Sequence, residues 1–330
     1  MSRSLDPDEV RFFSGRSNPE LAAGIAAYLR VPVDPAHFSR FSNDNLYVQL
    51  GASVRGREVF IVQSLIPPVS DHLLELLMML DIARSAAAHA VHAVIPYFSY
   101  SRSDKKDEPR ISITARLVAD LLQTAGATHV MTMTLHSPQV HGFFSMPTDP
   151  LTARALFARH FLNRGFSAND TVVVAPDIGH AKSASRFATW LGLPVAAGNK
   201  ERISDTEVRI GGLVGRQVHG FCRALVYDDE IATGGSTSAM CHLLIESGIR
   251  EIIIICTHGL FVGPARERLT AIPQITEIVT TDTVPLAPKN RLPNMTVLSV
   301  APVFGEAIRR NLLRESIGDL FAFAEDAGKP

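Results

Sequence analysis

"ALVYDDEIATGGSTSAM", residues 224–240, sets an apolar run against two adjacent carboxylates, Asp228 and Asp229, and then a turn of small residues, Thr233-Gly234-Gly235-Ser236-Thr237. The run reads as a strand, expected to end at Tyr227, and the segment from about Ser236 as a helix. A turn between them presents free backbone N–H groups at the positive end of a helix, which suits an anion. Gly234 and Gly235 permit close approach, and Thr233, Ser236 and Thr237 add hydroxyls. Carboxylates would repel an anion, so they serve another part of the ligand. Ionised Asp suits the hydroxyl donors of a sugar, and a divalent cation is the other candidate. Ribose 5-phosphate, with vicinal hydroxyls at one end and phosphate at the other, meets both demands. The plain alternative is an ordinary strand-to-helix turn with a serine cap and solvated aspartates. The spacing matches neither G-x-x-x-x-G-K-[ST] nor G-x-G-x-x-G, so neither a nucleoside triphosphatase loop nor a dinucleotide fingerprint is supported.

The same alternation runs along the whole chain. "EVFIVQS", "HAVIPYF", "HVMTMTL", "TVVVAPD", "ALVYDD" and "EIIIICTHG" read as buried strands, several without polar alternation, as in parallel sheets covered on both faces. Between them "DHLLELLMMLDIARSAAAH", "SITARLVADLLQTAG", "AKSASRFATWLG" and "STSAMCHLLIESG" read as helices, with Gly126, Gly192 and Gly248 at their C-terminal stops. This predicts an α/β fold with mostly parallel sheets flanked by helices. The stretches from Val59 and from Ala224 share one plan of strand, loop, helix, small-residue stop and strand. Only the second has the glycine loop; the first has Pro67-Pro68, which removes two N–H donors. The junction between halves is expected at "MPTDPLTARAL", around Pro147 and Pro150.

A chain of 330 residues exceeds what one core usually supports, so two domains are expected. The net charge of −1 gives no basic excess for nucleic acid. Cys222, Cys241 and Cys256 have no metal-ligand spacing, which suits a reducing compartment. "MSRSLDPDEVRFFSG" lacks the apolar region of a signal peptide, and "LLELLMMLDIA" is too short and too charged to span a bilayer. A cytoplasmic protein without membrane partners is expected.

Taken together, "LVYDDEIATGGST", "FFSGRSNPELAAGIAAYL", "FSRFSNDN", "SVRGREVFIVQS", "VIPYFSYSRSDKKDEPRISITARLVADLL", "TLHSPQVHGFF", "APDIGHAKSA", "NKERIS", "THGLFVGPA", "TDTVPL" and "SVAPVFGEAIRR" resemble the ribose-phosphate pyrophosphokinase (phosphoribosyl pyrophosphate synthetase) family, nearly end to end and in the family's order. The resemblance implies two phosphoribosyltransferase-like domains. The first is 1–150, joined by a C-terminal helix at about 305–325; the second is 151–304 and carries the ribose-phosphate loop. It implies transfer of the diphosphoryl group of ATP to the C1 hydroxyl of ribose 5-phosphate, giving phosphoribosyl pyrophosphate and AMP. His136 falls on the family histidine at ATP-bound Mg2+, and Asp177 on its acidic companion, so these are the expected metal residues. Lys200 and Arg202 fall in the family's mobile catalytic loop and, with His136, are the expected catalytic residues. Asp228, Asp229 and the five residues Thr233–Thr237 would hold ribose 5-phosphate. Phe41, Asn43, Asn45, Arg102, Ser103 and Asp107 would bind ATP, Phe41 by stacking on adenine from a neighbouring subunit. The family thus implies a homo-oligomer built of dimers, a hexamer.

Several positions depart from the family pattern. Thr134, Ser103, Asn45 and Ala232 stand where Asp, Gln, Glu and Asp are usual, and His180 stands in place of Gly, where it is expected to crowd the phosphate. These changes motivate two alternatives: a weak or inactive homologue that regulates a synthetase, and a diphosphokinase with altered nucleotide or pentose-phosphate preference. His89, His92, His129, His160, His219 and His242 share no spacing and carry no assigned chemistry. In the segment with Asp71, His72 and Glu75, the Leu and Met stripe reads as core or interface.

Overall fold

A computed structural model describes residues 8–202, 208–215 and 218–320, without the side chains of residues 199–217 and 319. These fall into two compact units, one drawn from 8–152, 283–285 and 299–320, the other from 153–282 and 286–298.

The first unit contains β1 (Val10–Ser14), α1 (Pro19–Leu29), β2 (Ala36–Arg40), β3 (Leu46–Leu50), β4 (Glu58–Val62), α2 (Val69–Ser85), β5 (Ala90–Ile95), α3 (Thr114–Ala125), β6 (His129–Met133) and β7 (Thr148–Leu151). Its sheet has the order β1-β4-β5-β6-β7, and every pair is parallel. The β2–β3 hairpin stands apart as an antiparallel pair. Strands β5 and β6 are almost wholly buried, as their unbroken apolar runs require. One face is filled by Val59, Ile61, Val91, Ala93 and Val130 against Leu76, Met79 and Leu80 of α2 and Val118 and Leu122 of α3. Glu75 is fully buried on α2 and is satisfied there by the Arg16 backbone N–H, the Arg16 guanidinium and Gln63 Nε2.

Two histidines without any shared sequence spacing meet inside this sheet. Nδ1 of His92 lies 3.0 Å from Nδ1 of His129, so the two rings share one proton there. Their outer nitrogens reach Glu58 at 2.7 Å and Asp149 at 2.9 Å. The result is a buried acid–imidazole–imidazole–acid chain across β4, β5, β6 and β7. Burial pushes the His92 pKa down despite the Glu58 hydrogen bond.

The second unit contains α4 (Arg154–Phe161), β8 (Thr171–Ala175), α5 (Ala181–Leu191), β9 (Val195–Arg202), β10 (Val208–Gly215), β11 (Arg223–Ile231), α6 (Gly235–Glu246), β12 (Glu251–Gly259), α7 (Ala265–Thr270), β13 (Ile275–Thr281) and β14 (Met295–Leu298). Its sheet order is β10-β9-β8-β11-β12-β13-β14, parallel except for β10 on β9. Tyr227 of β11 stacks on Phe187 of α5 with centroids 4.7 Å apart and meets Phe157 of α4 edge-on. Met240, Cys241 and Leu244 of α6 and Leu269 of α7 join a second apolar cluster with Val226, Ile252 and Ile254. Gly126 and Gly192 are C-terminal caps with φ of 121° and 66°, and Gly248 (φ 97°) follows the cap Ser247.

The last helix, α8 (Ala301–Leu313), packs in the first unit against α1. Thr283 belongs to the same unit because its carbonyl accepts from Ser64 Oγ at 2.7 Å and Asn18 Nδ2 at 3.5 Å. Close approach of α1 and α8 needs glycine: a Cβ on Gly305 would stand 2.4 Å from the Tyr28 ring. Glu306 of α8 receives Arg309, Arg310 and the Tyr28 hydroxyl. Among the described residues, no helix is long and apolar enough to cross a membrane.

Hydrogen bonding from Arg309 first, and from Arg310 and Tyr28, outweighs burial and holds the Glu306 carboxyl at about 2. A carboxylate with a depressed pKa adds stability that is present above its ordinary value of 4.5 and lost as pH falls toward 2. Glu306→Gln should therefore cost about 1 to 2 kcal/mol at neutral pH, allowing for solvent screening, and flatten the loss of stability across that window. Thermal melts at several pH values check this, and parallel pH profiles for variant and parent would refute it.

Candidate active site

In the second unit, chain order reverses between β8 and β11. The chain leaves β8 for β9 on one side and leaves β11 for β12 on the other. Such a reversal opens a crevice at the carboxyl ends of the two strands, where ligands of doubly wound sheets bind. Strand lengths deepen it. The β8–β11 ladder stops at Val174↔Val226, whereas the β11–β12 ladder continues to Ile231↔Gly259. The strand expected to stop at Tyr227 thus runs on through both carboxylates, because "EIIIICTHG" supplies a partner of matching length. Asp228 pairs in register with Cys256 while its other edge is outside the β8 ladder.

Three aspartates and one histidine converge on this step. Asp177, two residues past β8, caps the turn Ile178–His180 by accepting the His180 backbone N–H at 3.0 Å. Nδ1 of His180 reaches the same Asp177 oxygen at 3.0 Å, and Nε2 lies 3.0 Å from Asp229 Oδ1. Burial alone would lower the His180 pKa, but hydrogen bonds to Asp177 and Asp229, with the charges of Asp229 and Asp228, raise it to about 11. The Asp228 carboxyl is held well above the usual carboxylate range by burial and by the charge of Asp229. Asp228 Oδ1 accepts the Asp229 backbone N–H at 2.9 Å. The His180 ring lies between the Asp177 and Asp229 carboxylates. The contact to Asp177 is local, but Asp229 lies on β11, more than forty residues on, so sequence spacing did not point to this arrangement.

The turn after β11 has the geometry an anion site needs. Gly234 is the N-cap of α6 with φ 70°, and no side-chain hydrogen bond caps the helix. Ser236 is therefore not the cap of the plain alternative. First-turn N–H groups, here those of Gly235, Ser236 and Thr237, have no acceptor within their own helix, and a helix start of this kind suits an anion. Thr233 is exposed, Ser236 half-buried and Thr237 buried. Arg268 of α7 donates from Nη1 to the Thr233 carbonyl at 3.1 Å. A cation beside a helix N-terminus opposes the macrodipole unless an anion joins them. Nothing in the sequence singled Arg268 out.

In the first unit, Arg102 and Ser103 follow β5 and His136 follows β6, at adjacent carboxyl ends of its sheet. Ser101 Oγ links these segments by accepting the His136 backbone N–H at 3.4 Å. Thr134, just before His136, has φ 43°, a left-handed backbone that strains a β-branched residue. Asp107 is exposed on the segment after Ser103. Phe41, Asn43 and Asn45 sit together on the β2–β3 turn, where Phe41 is 57% exposed. Lys200 and Arg202, expected in a loop, occupy the end of β9, paired with Ile210 and Val208 of β10; their side chains lie outside the described residues. "NKER" lacks apolar alternation and so gives no strand signal. It is held instead by the backbone ladder with β10.

Two adjacent glycines separate strain from contact. A Cβ on Gly234 meets nothing closer than 3.5 Å, so Gly234→Ala should cost about 1 kcal/mol through its left-handed φ alone. Gly235→Ala meets the flexible end of Arg268 at 3.3 Å and Thr233 Oγ1 in ordinary contact at 3.9 Å, and should be nearly neutral. Urea unfolding of both variants tests this; equal losses would mean the φ of residue 234 is not what the turn requires.

Comparison with known proteins agrees with this architecture. Residues 10–126 match the N-terminal domain of ribose phosphate pyrophosphokinase, and residues 209–322 match the phosphoribosyl synthetase-associated domain. A putative ribose-phosphate pyrophosphokinase of Streptomyces coelicolor is 49% identical over 317 residues, 95% of this chain and 98% of that protein. A ribose-phosphate pyrophosphokinase of Deinococcus radiodurans is 47% identical over 313 residues, 94% of this chain and 97% of that protein. The crystal structure of phosphoribosylpyrophosphate synthetase from Mycobacterium smegmatis superimposes with a TM-score of 0.85 at 36% identity, covering 93% of this chain and 99% of that one. With these matches spanning both units, the chain belongs to the ribose-phosphate pyrophosphokinase family.

Proposed function

We propose that this protein transfers the diphosphoryl group of ATP to ribose 5-phosphate. The C1 hydroxyl oxygen attacks the β-phosphorus and loses its proton. The bond between that phosphorus and the oxygen bridging to the α-phosphate breaks, and AMP leaves with the bridging oxygen. The observation that carries this reading is the carboxylate pair at the end of β11 followed by an uncapped helix N-terminus.

In this reading the amides of Gly235, Ser236 and Thr237, with the hydroxyls of Thr233, Ser236 and Thr237, hold the 5-phosphate. Asp229 accepts from a ribose hydroxyl, and Asp228, with its raised pKa, offers a proton as well as an acceptor. Holding the sugar at both ends leaves its anomeric oxygen free and fixes its direction of attack. The hard carboxylate oxygen of Asp177 suits Mg2+, which takes few protein ligands. When bound, Mg2+ would neutralise charge on the phosphates. His136 retains its assignment as a metal-binding and catalytic residue of the first unit. Arg102 and Ser103 are assigned to the ATP phosphates. Phe41, Asn43, Asn45 and Asp107 are assigned to the nucleotide of a neighbouring subunit, in a cytoplasmic homo-oligomer built of dimers and reaching a hexamer. Exposure of the Phe41 ring on a hairpin turn supports that assignment.

Lys200 and Arg202 are proposed to stabilise charge on the transferring diphosphoryl group. Pure protein given ATP, Mg2+ and ribose 5-phosphate should release AMP in step with phosphoribosyl pyrophosphate. Absence of AMP across varied phosphate and nucleotide conditions would reject the reading. Lys200→Ala should lower kcat by about 100-fold or more and change the KM for ribose 5-phosphate by less than about threefold. Comparable losses in both would show uniform binding rather than a transition-state role.

A further inference from the structure

The hairpin of β2 and β3 pairs with no other strand, and two strands alone are marginal in water. Apolar packing secures its base, with Val48 buried in the core of the first unit and Phe38 and Leu50 against it. No residue of its tip, 40–46, joins that cluster. Arg40 ties the tip down instead. Its Nη1 donates to the Asp44 carbonyl at 2.8 Å and to Asp44 Oδ1 at 2.9 Å, and its Nη2 donates to Asp71 Oδ2. Asp44 has φ 68°, so the first two bonds brace the left-handed corner of the turn. Asp71 lies in the first turn of α2, where the helix end favours a carboxylate. Among the described residues, the bond to Asp71 is the one hydrogen bond that runs from 40–46 to the rest of the unit. Next to Arg40, the Phe41 ring meets Tyr47 of β3 edge-on with centroids 5.7 Å apart.

Resting on the reading of Phe41, Asn43 and Asn45 as nucleotide contacts, we propose that Arg40 is a positioning residue for ATP. By bridging Asp44 to Asp71 it fixes the hairpin tip to α2, and so fixes where Phe41, Asn43 and Asn45 stand. It acts through the turn rather than on the nucleotide. A ring stacks on a flat base only at the right height and tilt, so a tip that swings must be ordered at each binding event, at a cost in affinity. Arginine suits the task because one planar fork serves two acceptors at once, whereas a lysine ammonium is a point charge. Asp71, to which sequence alone gave no chemistry, becomes the anchor. An exposed ion pair adds little to folding, so loss of the bridge should appear in nucleotide affinity and leave melting unmoved. Ribose 5-phosphate, assigned to the second unit, should bind as before.

Calorimetry on the full chain measures the Kd of the Mg2+ complex of ATP and, separately, of ribose 5-phosphate. The proteins are the parent, R40A, D71N, the double variant R40A/D71N and F41A, with thermal melts to report folding. R40A and D71N should each weaken ATP binding about threefold to fivefold, the scale of one well-placed exposed ion pair. The double variant should bind no more weakly than R40A, because both changes cut the same bridge. Binding of ribose 5-phosphate and the melting temperature should stay at parent values. Parent-like ATP binding in R40A overturns the proposal. Weaker binding in R40A beside a parent-like D71N, or losses that add in the double variant, also overturn it, since Arg40 would then act without its anchor. Equal weakening of both ligands with a lowered melting temperature would show a merely structural role. If R40A does not fold, parent-like ATP binding in D71N overturns the proposal equally. Parent-like ATP binding in F41A removes the hairpin from the nucleotide and the proposal with it. Weaker binding in F41A beside a parent-like R40A leaves the reading of the hairpin standing and only the role of Arg40 overturned.

Discussion

A mismatch in strand length organises the second unit. β11 and β12 stay paired five residues beyond the last β8–β11 pair, Val174↔Val226. That overrun carries Asp228 and Asp229 past the end of β8 while keeping their backbone in a ladder on the β12 side. Charged residues on a free loop would move apart. On a strand held by a neighbour they keep their spacing. The turn Ile178–His180 fills the space that β8 vacates and brings His180 to Asp229.

The electrostatics follow from that step. Three carboxylates in one crevice cannot all stay ionised without a cation. Here His180 supplies one positive charge and Asp228 tends to keep its proton. Beyond the acids, the N-terminus of α6 and the Arg268 guanidinium make the turn positive. Negative and positive faces thus lie a few residues apart along one strand-turn-helix segment. A polyhydroxyl phosphate needs both.

The first unit uses a parallel sheet differently. Its order β1-β4-β5-β6-β7 follows the chain without the reversal found at β8 and β11. Arg102 and His136 again stand at carboxyl ends, after β5 and β6. Between β6 and His136, Thr134 holds a left-handed backbone. At the opposite end of these strands, the pair His92 and His129 has a structural setting, with His92 stacked on Phe60 and the two rings tied to Glu58 and Asp149.

By itself the sequence determined the fold class, the strands from "EVFIVQS" to "EIIIICTHG", the glycine helix stops and the turn after the paired aspartates. These are local facts: apolar runs, a missing Cβ and small residues at a helix start declare themselves within a few positions. Only the tertiary structure decided where β11 ends, because a strand ends where its partner does. It also decided that His180 joins Asp177 to Asp229, that Arg268 reaches Thr233, that Lys200 lies on a strand, and that His92 meets His129. Each of these depends on which strands become neighbours. That choice rests on packing between segments tens of residues apart, and no local spacing encodes it.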